Sequence, residues 1–151
     1  MRLFFLLLFV VLFTPIHSQV KIDDVGDGWK LRVDSAVALI KNTDSDKYGL
    51  LIKVCDHVSY WNGGFSTIED SSTILITQKD MLYGSINNIA AIIIHESKHL
   101  YYLRNKISLP PHEEELRCYK YELSFLIKVP NVEPWLVDNA KDKIRLFSSL
   151  D

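Results

Sequence analysis

The chemistry of this chain concentrates in His95-Glu96-Ser97-Lys98-His99. On a helix, residues four apart stack on one face, so both imidazoles can reach a single metal ion at ~2.0–2.1 Å. Glu96 is turned ~100° from His95 about the helix axis, which sets its carboxylate beside the ion rather than on it. There it can take a proton from a metal-bound water whose pKa zinc has lowered to ~7. Two imidazoles completed by a carboxylate suit Zn2+ best. An amphipathic surface helix would also carry two histidines. Here, however, the motif follows Ile89-Ala90-Ala91-Ile92-Ile93-Ile94, which is apolar on every face. A helix of that kind is buried, and burying His and Glu without partners is costly.

A catalytic zinc needs a third protein donor and an open position for water. His57 and His112 are candidates, and so are the acids of Glu113-Glu114-Glu115 and Glu122. Acids directly after Pro110-Pro111 also suit the positive end of a helix with no metal present, so the cluster alone does not choose a ligand. The combination of H-E-x-x-H with a downstream glutamate resembles the gluzincin metallopeptidases. In that family the third ligand is a Glu on a later helix, opening an E-x-x-A or related pattern. Glu115-Leu116-Arg117-Cys118 fits best, with Cys118 in the alanine place. The resemblance spans residues 72–122 and implies zinc held by His95, His99 and Glu115, with Glu96 as general base. Glu114, Glu122, His112 and His57 stay open as alternatives to Glu115.

The resemblance also implies that the strand preceding the motif helix, 72–77, offers a free edge to an extended peptide. Larger gluzincins carry an acid four residues after the ligand Glu, where it orients a zinc histidine. Tyr119 stands there in this chain, so that support comes from Glu122 or is missing. Tyr119 shares the face of Glu115 and is a candidate catalytic group. A phenol beside the zinc can hydrogen-bond a developing oxyanion, a role worth ~2.7–4 kcal/mol. Packing between two helices is the alternative. Arg117 is a second candidate for that role or a solvated charge.

The elements that must position these groups follow from periodicity. Trp29, Val33, Val37 and Ile40 recur at helical spacing and predict a helix over 29–41. The Asn42–Asp46 turn can cap a second helix over 47–57. Residues 60–65 and 72–77 read as short strands separated by the Gly63-Gly64 and 69–71 turns. Ser85 is a good N-cap for the motif helix, 85–105, and a further helix follows over 113–128. Pro134 opens the last helix, with Leu136, Ala140, Ile144 and Phe147 as its core stripe. Two helices, a small sheet and three helices make an α+β, mostly helical domain; the resemblance implies a minimal zincin-like one.

Composition sets the outer limits. The chain has 151 residues, with 17 Lys and Arg against 19 Asp and Glu. That near-neutral balance argues against a dedicated nucleic-acid binder, and two cysteines are too few for a disulfide scaffold. Arg2, the apolar run Leu3–Phe13 and the segment ending in Ser18 form the three parts of an export signal. An eleven-residue run is roughly half of the ~20 needed to span a bilayer, so no stable membrane insertion is expected after cleavage at 18/19. The mature domain is then 19–151, secreted or periplasmic, with residues 19–28 as a loose polar arm. Cys55 and Cys118 can pair in such a compartment or remain buried thiols. The expected function is a zinc metallopeptidase-like hydrolase acting on a peptide or protein substrate. The alternative is a non-catalytic zinc-binding or interaction domain. So small a domain implies a shallow cleft, or a protein partner that completes it.

Overall fold

The computed structural model describes residues 20–23, 25–26 and 28–150, so the export signal expected over 1–18 lies outside the described residues. The described chain is α+β and mostly helical: strand β1 (Lys21–Ile22), helices α1 (Trp29–Thr43) and α2 (Ser45–Val54), strands β2 (His57–Trp61), β3 (Thr67–Ile68) and β4 (Thr73–Thr77), and helices α3 (Gln78–Tyr83), α4 (Ile86–Arg104), α5 (Pro111–Leu126) and α6 (Pro134–Ser148). Among the described residues no helix is long and apolar enough to cross a membrane.

Helix α4 is the axis of the domain. The Ser85 side chain accepts a hydrogen bond from the Asn88 N–H and so caps its start, as the sequence predicts. Ile89, Ala90, Ala91, Ile93, Ile94 and Leu100 are buried, and α1, α2, α5 and β4 pack around them. Its apolar girth is explained by neighbours on several sides. Helix α1 starts after Gly28, whose φ of 73° lies in the left-handed region that glycine tolerates. It buries Trp29, Val33, Ala36 and Ile40. Asp44 caps α2 by accepting from the Lys47 N–H, and its carboxylate also takes the Lys128 ammonium at 2.7 Å.

The sheet departs from expectation in four places. Its order is β1-β2-β4-β3, with β1, β2 and β4 parallel and β3 antiparallel to β4. The second helix stops at Val54, three residues before the expected end, and His57 begins β2 instead. Long-range bonding decides this: the Asp56 N–H donates to Ser72 O and its carbonyl accepts from the Lys21 N–H. Val58 then enters the core. The strand expected at 60–65 therefore runs earlier and ends before the Gly63-Gly64 turn. The supposed loose arm is anchored, because Val20 is buried and Lys21–Ile22 pairs with His57–Val58. Strand β3 and helix α3 are additional elements, too short to leave a periodic trace. Cys55 and Cys118 are both buried free thiols.

If α4 is the packing axis, Ile93→Ala costs ~2–5 kcal/mol in urea unfolding by leaving a cavity. Leu103→Ala, at an exposed position of the same helix, stays within ~0.5 kcal/mol.

Candidate metal centre

The motif helix places His95 and His99 one turn apart on the face of α4 that meets α5. Their Nε2 atoms lie 3.3 Å from each other. Glu115, in the second turn of α5, brings its two carboxylate oxygens to 3.5 Å from His95 Nε2 and 3.4 Å from His99 Nε2. Donors at zinc's ~2.0–2.1 Å bond lengths and tetrahedral angles sit ~3.3–3.4 Å apart. The two nitrogens lie at such a spacing from each other, and each has one oxygen of the Glu115 carboxylate at nearly the same distance.

The outer partners fix the tautomers. His95 Nδ1 lies 2.9 Å from Glu122 Oε2, and His99 Nδ1 lies 2.7 Å from Glu114 Oε1. A carboxylate can only accept, so each Nδ1 carries the proton and donates it. In a neutral imidazole that leaves Nε2 as a bare lone pair. Two such lone pairs and a carboxylate then face one another, an arrangement that needs a cation or extra protons between them. Carboxylate partners of this kind are what orient metal-binding histidines.

Without a metal the same geometry stores protons. Burial opposes charging His95, but hydrogen bonds to Glu115 and Glu122 outweigh it and raise its pKa to about 9. His99 is likewise opposed by burial, yet Cys118, Glu115 and Glu114 raise it to about 12. The two histidines, as hydrogen-bond donors, hold Glu115 down at about 2. Glu96 behaves oppositely: burial is the main effect and pushes its pKa up to about 7 despite both imidazoles.

Cys118 also joins this neighbourhood, with its sulfur and one nitrogen of each histidine within 4.8 Å of one another. Glu115 places one oxygen within 3.5 Å of each Nε2, and burial pushes the Cys118 thiol pKa upward, which keeps its proton in place. Among the remaining candidates, Glu114 and Glu122 bind the far nitrogens of the histidines rather than the cluster's centre. Glu122 thus supports His95 from its far nitrogen. His57 is elsewhere, with Nε2 2.6 Å from Asp23 Oδ1 between β1 and β2. His112 is not among the residues lining the cavities around the motif histidines. Arg117 is exposed and paired with Glu113 at 2.5 Å.

Tyr119 lies over the centre. Its ring is 4.4 Å from that of His95 and stacks at 5.9 Å on Phe147 of α6, so the last helix positions it. Burial, together with Glu122, Glu115 and Glu96, raises its pKa and keeps the phenol protonated as a donor.

The edge strand needs correcting. Strand β4 is flanked by β2 and β3; the edge strands are β1 and β3, and β3 is the one beside the motif histidines. The Glu69 N–H donates to Thr73 O, and Ile68 opposes Ile74 one step along the ladder. Antiparallel pairs alternate between bonded and non-bonded, so the Ile68 N–H and C=O turn outward. Thr67 and Ile68 line a cavity of about 300 Å³ together with His95, Glu96, His99, Glu115 and Tyr119. The sequence hides β3 because two residues carry no alternation; the adjacent Gly63-Gly64 turn is its one local trace.

No family model matches the chain, and no significantly similar curated protein or solved structure is found.

Two outcomes test the centre. Purified protein binds about one zinc, and Glu122→Gln or Glu114→Gln weakens that binding ~10–100-fold in a chelator competition. In metal-free protein, Glu96→Gln raises the melting temperature at pH 8 and not at pH 4. A carboxylate whose pKa is raised on folding destabilises the fold once pH exceeds its ordinary 4.5, fully so above about 7. An equal effect at both pH values contradicts the assignment.

Proposed function

We propose that this chain is an exported zinc-dependent hydrolase of peptide bonds, with His95, His99 and Glu115 as ligands. One observation carries the reading: two imidazole nitrogens and a carboxylate converge at 3.3–3.5 Å while separate carboxylates hold the far nitrogen of each imidazole. Zinc, when bound there, supplies a Lewis acid that lowers the pKa of a coordinated water toward neutrality.

The chain's own residues do the rest. Glu96 adjoins His95 and lines the cavities on both sides of that histidine. A buried carboxylate with a pKa near neutrality both accepts and returns a proton, so it serves as base for water and then as acid for the leaving amine. The protonated Tyr119 lines the same two cavities and donates to the carbonyl oxygen as it gains charge. Glu114 and Glu122 keep the imidazoles in the ligating tautomer. The outward backbone groups of Ile68 pair with an extended substrate by strand addition. Export rests on the reading of residues 1–18 and places the enzyme outside the cytoplasm or in a periplasm.

A second, non-catalytic reading is favoured by the proximity of Cys118, which would close a four-ligand structural site with His95, His99 and Glu115. Cobalt substitution separates the two: a thiolate-to-cobalt charge-transfer band in the near ultraviolet marks the closed site, and its absence the open one.

Glu96→Gln keeps its zinc and loses peptide hydrolysis; retained turnover removes the proposed mechanism. Tyr119→Phe lowers kcat ~10²–10³-fold with zinc content unchanged, measured by steady-state kinetics.

A further inference from the structure

Three cavities adjoin one another across the centre through shared lining residues. A chamber of about 510 Å³ on the His95 side shares Phe65, Ser66, His95, Glu96 and Tyr119 with the central cavity. The central cavity shares Ile68 and His99 with a further cavity of about 370 Å³. The catalytic residues lie mid-groove, with space on either side.

The two ends differ. At the rim of the larger chamber stand three exposed aromatic rings: Phe65 is 69%, Tyr83 85% and Trp135 54% exposed. Among the described residues the other large aromatics are buried, as Trp29, Tyr102 and Phe125 are, or half-buried. Exposed apolar rings gathered about one concavity mark a binding surface. Their setting is fixed. The Trp61 indole N–H donates to Phe65 O at 3.0 Å, and the Ser66 hydroxyl donates to Asp80 Oδ2 at 2.6 Å. Behind the rim lie Ala91, Ile92 and Leu136, while Lys79 and Asp80 offset one another in charge. A dry cavity of ~150 Å³ already houses a benzene ring, so this chamber takes an aromatic side chain with its backbone. The opposite arm presents Leu103, Ile107 and Leu109.

We infer that the enzyme acts on internal bonds of extended polypeptides, with the His95-side chamber selecting an aromatic side chain beside the bond cut. The inference rests on the hydrolase reading above. A groove that continues past the catalytic residues at both ends places no wall against either chain terminus. The aromatic rim makes one end the selective one.

The test uses zinc-loaded full mature protein and acetylated, amidated ten-residue peptides of Gly, Ser and Ala carrying one Phe or, as control, Ala instead. Binding is read on Glu96→Gln by competition against a fluorescent peptide, and cleavage on wild type by mass spectrometry. The Phe peptide binds at least ~10-fold more tightly than the Ala peptide and is cut at an internal bond adjacent to Phe. In the double variant Tyr83→Ser, Trp135→Ser the affinity ratio falls to within ~2-fold, and Tyr83→Phe, Trp135→Phe restores it. Melting curves confirm that each variant is folded. Equal affinity for the two peptides, a preference surviving in the Ser variant, or cleavage only of the same peptides left unblocked overturns the inference while leaving a zinc hydrolase in place. Selective binding without turnover by the zinc-loaded wild type overturns the hydrolase reading instead and leaves the aromatic chamber standing.

Discussion

The lone pairs of His95 and His99 and the carboxylate of Glu115 meet in one small volume, and the surrounding structure follows from that constraint. Four carboxylates, those of Glu96, Glu114, Glu115 and Glu122, surround two imidazoles between α4 and α5. Glu96 and Glu122 are buried. Buried charge without a counter-charge costs several kcal/mol per group, so this arrangement calls for compensating positive charge at its centre. Protons can provide it, one at each nitrogen, and so can a divalent cation. The cation has an advantage of geometry: it satisfies all three inward atoms at once.

Such a centre needs rigid supports, and the fold devotes most of its packing to two of them. The face of α4 away from the ligands is locked by α1, α2 and β4, which determine where His95 and His99 point. Helix α5 carries four acids with different duties on one helix, and α6 packs along it. The Phe147 ring on Tyr119 ties the end of the chain to the position of a residue at the centre. On the opposite wall, Ser66 links β3 to the start of α3 through Thr77 and Asp80. Three short elements thereby become a fixed lip.

The helix period made the core of the site legible. Histidines at i and i+4 in an apolar run can face one way only, and Ser85, Pro134 and the Asp44 turn announce helix starts by local chemistry. Glu114 and Glu115 were harder to separate because neighbouring helical residues differ by ~100° in direction. Which one turns inward depends on the rotation of α5, and that is set by Leu116, Phe125 and Leu126 in the core. The sheet was less legible. Where α2 ends depends on bonds from Asp56 to Lys21 and Ser72, both distant in sequence. A two-residue strand such as β3 has no period at all, and the identity of the edge strand went with it.

The same charges also set the terms on which a cation would bind. With no metal the carboxylates hold protons on His95 and His99 well above neutrality, so metal and protons compete for the same atoms. Glu115 experiences the reverse bias and stays ionised, ready to ligate. Glu96 is the exception, since burial rather than a partner dominates its environment. It retains a proton affinity near neutrality despite both imidazoles. Across α4 and α5, therefore, burial and neighbouring charge separate two carboxylates: Glu115 is held ionised, and Glu96 is left able to exchange a proton near neutrality.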